Sequence, residues 1–169
     1  MSTIQNVRAV GNPQRSYEFE VEILGNSISG SLPILKERVQ NVNIPEKSNE
    51  TITINYKGNQ SLYAGRDGSP HTMTIQFWDD EAQSIYALMN DWYENGILNS
   101  VVGGGVTKDL YAVDLVVKTL AHDSNTVTAT HRFNNVFPSS IGDISLDYSA
   151  SEHITFSITF TYDAHIFDT

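Results

Sequence analysis

The sequence predicts a mainly β protein, an antiparallel β-sandwich or barrel with one main α-helix over about residues 81–95. Two patterns carry this expectation. Apolar and polar residues alternate with period two in six separate segments, the mark of strands with one buried and one wet face. A single segment switches to the helical period. The composition agrees: 40% of the 169 residues are hydrophobic and 10% aromatic, enough to build a core. There is no cysteine, which excludes a disulfide scaffold, a thiol nucleophile, a Cys-ligated zinc site and an iron–sulfur cluster.

The strands follow in order. Tyr17, Phe19, Val21 and Ile23 alternate with Glu18, Glu20 and Glu22, so the three glutamates are expected on a solvated strand face. Ile52, Ile54 and Tyr56 alternate with Thr51, Thr53 and Asn55, and Met73, Ile75 and Phe77 with Thr72, Thr74 and Gln76. Tyr111, Val113, Leu115 and Val117 form the next set, and Val127, Ala129, His131 and Phe133 the one after. The clearest comes last: Ile154, Phe156, Ile158, Phe160 and Tyr162, with Thr155, Ser157, Thr159 and Thr161 between them. Threonine is β-branched and tolerates water, so it suits a wet strand face.

The helix is predicted from Ile85, Leu88, Met89 and Trp92, which share one apolar stripe expected to cover an open end or face of the sheet. Asp80 as N-cap with Gln83 three residues on reads as a capping box, and Gly96 as the stop. Nothing resembles a linker, so residues 1–169 are expected to be a single domain. It carries an N-terminal arm over about 1–16 and an extended loop over about 57–70, where Leu62 and Tyr63 sit among turn residues. A further loop holds Gly103-Gly104-Gly105.

Candidate chemistry is sparse. The glycine triplet is followed by Thr107-Lys108, but Val106 and Thr107 stand where a phosphate loop needs its second glycine directly before the lysine. No two of His71, His122, His131, His153 and His165 have the helical spacing of a zinc site. His131 and His153 are placed to approach one another across a sheet, with packing favoured over metal binding. Asp79, Asp80 and Glu81 mark a helix start, where the dipole favours negative charge. No catalytic, cofactor-binding or metal site is therefore expected, and no cofactor.

Twenty acidic against ten basic residues give a formal net charge of −10. Proteins that grip nucleic acid neutralise phosphates with Lys and Arg, and this chain lacks the surplus. An acidic surface repels DNA and anionic membranes alike. No apolar run has the length to span a bilayer, and the first residues lack a signal-peptide pattern, so synthesis in a cytoplasm is expected.

The order of motifs is itself distinctive. Phe19-Glu20-Val21-Glu22-Ile23 is followed by Asn43-Ile44-Pro45-Glu46, then Thr51 to Gly58, then Met73 to Asp80 and the helix ending in Trp92. The second half holds Asp114-Leu115-Val116-Val117, then Phe137-Pro138-Ser139-Ser140-Ile141-Gly142, Leu146-Asp147-Tyr148, and the strand from Phe156 to Asp163. Over about residues 17–163 this resembles the tail tube proteins of contractile-tailed bacteriophages. The family often places a Trp soon after the last Tyr-Asp, whereas here Ala164-His165-Ile166-Phe167 follows.

The resemblance implies a structural subunit, not an enzyme, that forms hexameric rings stacked into a tube. The implied partners are other copies of itself, a sheath protein, a tape-measure protein, and baseplate and terminator proteins. DNA passes through the lumen during genome ejection without specific binding, and no membrane is involved. The protein is placed in the virion tail, after assembly in the host bacterial cytoplasm. A baseplate initiator ring, a terminator ring, or the inner tube of a bacteriocin or secretion system remain as alternatives. In that setting Leu62, Tyr63 and Arg66 are candidates for ring-to-ring contact. Glu18, Glu20 and Glu22 are candidates for a lumen-facing or otherwise solvated strand face.

Overall fold

The computed structural model describes residues 13–25, 32–98, 105–149 and 151–169. The first twelve residues of the expected N-terminal arm lie outside the described residues, as do Gly103 and Gly104 of the glycine-rich loop. A seven-stranded antiparallel sheet carries the fold. Its hydrogen-bonded path runs through β1 (Phe19–Leu24), β6 (Val113–Leu120), β7 (Val127–Ile141), β8 (Thr155–Thr161), β5 (Thr72–Trp78) and β2 (Val39–Asn43). The last strand, β9 (Ala164–Asp168), pairs with β7 off this path. The strands β3 (Asn49–Tyr56) and β4 (Asn59–Asp67) form a separate two-stranded sheet.

The long strand β7 belongs to two half-sheets. Its residues from Val127 to Val136 pair with β6, and those from Phe137 to Ile141 pair with β8. The change of partner occurs at a bulge, where the register with β6 slips between Val113 and Leu115. Asn135 sits in the left-handed region at φ 54°, a conformation asparagine tolerates better than most side chains. Its N–H donates to Asp114 Oδ1 at 3.2 Å and its side-chain amide to Asp163 Oδ2 at 2.9 Å. Asp163 in turn accepts from Lys108 Nζ at 2.5 Å, and its own N–H donates to the Asn134 carbonyl at 3.0 Å. Pro138 lies just beyond, at a second slip in register against β8, where a ladder donor is not required.

Both half-sheets face one core. Val21, Ile23, Leu115, Val117 and Phe133 enter it from one half, and Met73, Ile75, Phe77, Phe156, Ile158 and Phe160 from the other. The expected apolar stripe covers this core: Ile85, Met89 and Trp92 are buried, and Leu88 packs against them. Tyr86 meets Phe156 edge-on at 5.5 Å, and the Trp92 indole N–H donates to the Tyr111 carbonyl at 2.9 Å.

The helix differs from expectation at both ends. The helical segment α2 is Ser84–Asp91, and Trp92–Leu98 continues it with π-helical bonding through Gly96, which is not a stop. Gln83 has φ 52° and does not close a capping box. Two consecutive aspartates cap the helix instead. Asp79 accepts from the N–H groups of Ile85 at 3.0 Å and Tyr86 at 2.9 Å, while Asp80 accepts from the Ser84 N–H and hydroxyl. Arg38 braces both carboxylates, at 3.3 Å to Asp79 and 2.8 Å to Asp80. Two shorter helices, α1 (Leu32–Glu37) and α3 (Lys108–Tyr111), were not predicted; each is too short to show an apolar period.

The sheet is not closed into a barrel; besides the outer side of β9, its edges are β1 and β2. A groove of about 330 Å³ lies between them, lined in part by Phe19, Val42, Ile44 and Val117. The strand around Tyr17 starts later than expected, at Phe19, because a turn closed by the Glu18 N–H on the Arg15 carbonyl precedes it.

The bulge generates one expectation. Asn135→Val, which forces a β-branched residue to positive φ and removes the bond to Asp163, is expected to cost about 1–3 kcal/mol. Asn135→Gly loses only the side-chain bond and is expected to cost about 1 kcal/mol. Urea midpoints measure both, and equal losses would contradict the role of the backbone angle.

The helix start generates another. The bond from Arg38, and then those from Ser84, hold the Asp80 carboxyl well below the usual carboxylate range. A lowered folded pKa stabilises above the unfolded value and is lost as pH falls through the folded one. Arg38→Met is therefore expected to be less stable than the parent near neutral pH, with the gap shrinking in strong acid. Urea midpoints at about pH 7 and about pH 2 give the comparison.

Candidate assembly surfaces

The segment expected as an extended loop over about 57–70 is instead mostly strand. Lys57 at φ 47° and Gly58 at φ 81° make a two-residue turn of the primed type, which matches the natural twist of a hairpin. Residues from Asn59 to Asp67 return along β3 as β4. The loop expectation failed because Asn59, Gln60, Ser61, Ala64 and Gly65 carry little intrinsic strand signal. The two-residue Lys57-Gly58 spacing after an alternating run was the available clue.

The register sorts the hairpin into two faces. Ile52 stands opposite Tyr63, Ile54 opposite Ser61 and Tyr56 opposite Asn59, so Ile52, Ile54, Tyr56 and Tyr63 share one face. Thr53 stands opposite Leu62, which puts Leu62 on the other face with Thr51, Asn55 and Gln60. Thus Leu62 and Tyr63, paired as candidates, point in opposite directions. All five large apolar residues are more than half exposed, and none belongs to the core cluster. Arg66, the third candidate, donates to Glu50 Oε2 across the hairpin at 2.7 Å, and both side chains are largely in solvent.

The base of the hairpin is tied more closely. The Gly68 N–H donates to the Ser48 carbonyl at 2.9 Å, and Ser69 N–H to Asp67 Oδ1 at 2.9 Å. Ser69, through its side chain first and this N–H second, lowers the pKa of Asp67. Gly65 is required where β4 bulges: a Cβ there would lie 2.8 Å from the Glu50 carbonyl oxygen.

The three glutamates do not form one solvated face. Glu18 is buried, with its carboxylate 2.9 Å from His122 Nδ1, 3.4 Å from the Gln14 amide and 3.6 Å from Arg15. The turn before β1 breaks the alternation there, and Glu18 pins the chain around Gln14 to the β6–β7 connection. Glu20 and Glu22 do lie on β1, half-buried. Glu20 pairs with Lys36 of α1, and Glu22 lies 2.7 Å from Lys118 of β6.

Nor does His131 meet His153, which is exposed ahead of β8. Its partner is His165 on the unforeseen strand β9, with Nδ1 and Nε2 3.0 Å apart. Among the described residues no group of three or more His, Asp or Glu is arranged to hold a metal ion. No described helix is long and apolar enough to cross a membrane.

Free sheet edges and an uncovered hairpin, rather than a convergent polar cluster, define a structural subunit built to meet other chains. The chain belongs to the phage tail tube protein family, whose model matches residues 13–168. Membership makes it a structural tail protein and not an enzyme. It is 26% identical over 108 residues to the tail tube protein gp19 of Enterobacteria phage T4, and 27% to that of phage T6. In each case the match covers 62% of this chain and spans 65% of the relative's length, just under two thirds.

Solved structures share the fold across nearly the whole chain. One comes from the sheath–tube complex of an extracellular contractile injection system, at 19% identity and TM-score 0.69, covering 99% of this chain and 98% of the other. The tube-terminating cap of the anti-feeding prophage matches at 16% identity and TM-score 0.71, covering 100% and 99%.

Because the apolar face of the hairpin is independent of the core, Ile52→Asp with Tyr63→Asp is expected to leave the isolated subunit folded. The change in stability should stay within about 0.5 kcal/mol per site, as at other exposed positions. Thermal melts of the unassembled protein measure this, and a collapse of the melting temperature would place the hairpin inside the cooperative core.

Proposed function

We propose that this protein forms six-fold rings that stack into the inner tube of a contractile phage tail, and that DNA passes through the lumen during ejection. The observation that carries the proposal is the β3–β4 hairpin, whose apolar face no other part of the described chain covers. A lone two-stranded hairpin is marginally stable in water, so an apolar one invites a partner. Docked on a neighbouring ring, each of Ile52, Ile54, Tyr56 and Tyr63 contributes about 1–2 kcal/mol from burial. Leu62, on the opposite face, contacts whatever lies behind the hairpin, and Arg66 stays paired with Glu50 near its base. The open edges at β1 and β2 supply strands for neighbours within a ring.

The charge supports passage without binding. A subunit at −10 repels phosphates, and repulsion lets a polyanion slide where Lys and Arg would hold it. Glu20 and Glu22 remain candidates for a lumen-facing strand face; Glu18, buried against His122, does not. A sheath, baseplate and terminator proteins and a tape-measure protein complete the assembly, which forms in the host cytoplasm.

A second reading, a terminator ring, draws on the cap of the anti-feeding prophage and on a sheath/tube terminator at TM-score 0.70 and 20% identity, as similar in fold as the tube structure. Negative-stain microscopy and light scattering at rising concentration separate the readings. Stacked tubes support the tube subunit, single rings the terminator, and monomer alone under all conditions overturns both. The Ile52→Asp, Tyr63→Asp variant is expected to form rings that do not extend, and Leu62→Asp to impair extension less. Parent-like polymerisation of the double variant would remove the hairpin from the stacking contact.

A further inference from the structure

His131 on β7 and His165 on β9 face each other across the pairing that holds the last strand of the fold. The register sets His131 opposite Phe167 and Phe133 opposite His165. The four rings lie together: His165 stacks on Phe133 at 4.4 Å and 14°, and His131 lies 4.8 Å from Phe167. Nδ1 of His131 and Nε2 of His165 are 3.0 Å apart, so one ring donates and the other accepts. The remaining nitrogen of His165, Nδ1, is buried without a hydrogen-bond partner.

This geometry accommodates two neutral rings, or one added proton shared along the bond, but not two. With both rings protonated, two N–H groups point at one another with no lone pair between them, and two like charges stand side by side. A single imidazolium at His165 keeps the shared bond but leaves an N–H at the buried Nδ1 with no acceptor. Around the pair, Lys47, Asp67, His71 and Asp163 line a cavity of about 360 Å³ that reaches His165. From β6 the residue opposite His131 is Val117, which carries no charge. Burial, reinforced by Lys47, lowers the pKa of both rings. Lys47 opposes added positive charge, while Asp67 and Asp163 are already engaged by Ser69 and by Lys108 and Asn135.

We propose that the His131–His165 pair is a proton-operated latch, holding β9 on β7 while both rings are neutral and releasing it when they charge. The sign follows from the lowered values. The folded state binds fewer protons than the unfolded one as pH drops below about 6.5, so the latch is intact above that value and weakens beneath it. Release frees the backbone edge of β7 from Thr130 to Asn134 for pairing with another strand.

The test is hydrogen exchange, corrected for the intrinsic pH dependence, read on the β9 peptide at about pH 7.5 and about pH 5. Protection of β9 is expected to fall about tenfold or more while that of β8 holds. In His131→Asn with His165→Gln, whose amides reproduce the shared bond without titrating, β9 protection is expected to be the same at both values. An unchanged β9 in the parent overturns the proposal, as does an equal fall in the double variant. Should that variant not fold, imidazole titrations of the parent by NMR decide. Midpoints below about 6.5 that coincide with β9 release support the latch, and release at any other pH overturns it.

Discussion

One strand has to serve two sheets, and the rest of the structure depends on how it does so. From Val127 to Val136, β7 follows β6; from Phe137 onward it follows β8. A flat strand cannot do both, because the core side chains of the two half-sheets converge on one interior. The bend is concentrated at Asn134-Asn135, where a left-handed residue is held by carboxylates from β6 and from the end of β8. Lys108 holds the second carboxylate in place, and its bond is the leading cause of the lowered pKa of Asp163. The polar network is exposed enough to be solvated, so its work is geometric: it fixes a corner.

Around that corner the interior is filled conventionally and the periphery is not. Phe133, Phe160 and Phe77 are fully enclosed, and α2 closes the interior with its own apolar stripe. Yet the same chain leaves the edges of its sheet unpaired and places four large apolar residues on one face of a hairpin outside the core. A monomeric protein would blunt such features with charge or proline. Here the charges on β1 are matched by Lys36 and Lys118, and on the hairpin Glu50 is matched by Arg66.

Strong periodicity made much of this legible in advance. The alternation from Ile154 to Tyr162 is β8, and the Ile85, Met89, Trp92 stripe is the buried side of the helix. Short or weakly patterned elements were not legible: β2 and β9 have five residues each, too few for a period to stand out. Glu18 was misplaced because a turn, which alternation cannot register, precedes β1. The helix start was read as one cap and proved to be two, since Asp79 reaches six and seven residues ahead. On the hairpin, Leu62 and Tyr63 were singled out for being apolar in a polar segment. Only the register separated them and joined Tyr63 to Ile52, Ile54 and Tyr56 as the apolar face.

The position of β8 bears on the order in which the fold can be made. It is the eighth strand in sequence but lies in the middle of the sheet, between β7 and β5. Before it is synthesised, the half built on β1, β6 and β7 has no hydrogen-bonded link to the half built on β5 and β2. Contacts this distant in sequence form late, and exposed strand edges in a part-made chain are prone to pair wrongly. A chain in which β8 has not yet paired has no hydrogen-bonded path from β1 to β2. Only once β8 is in place are the β1 and β2 edges held at their final spacing, so the geometry of the sheet checks that its two halves have been joined.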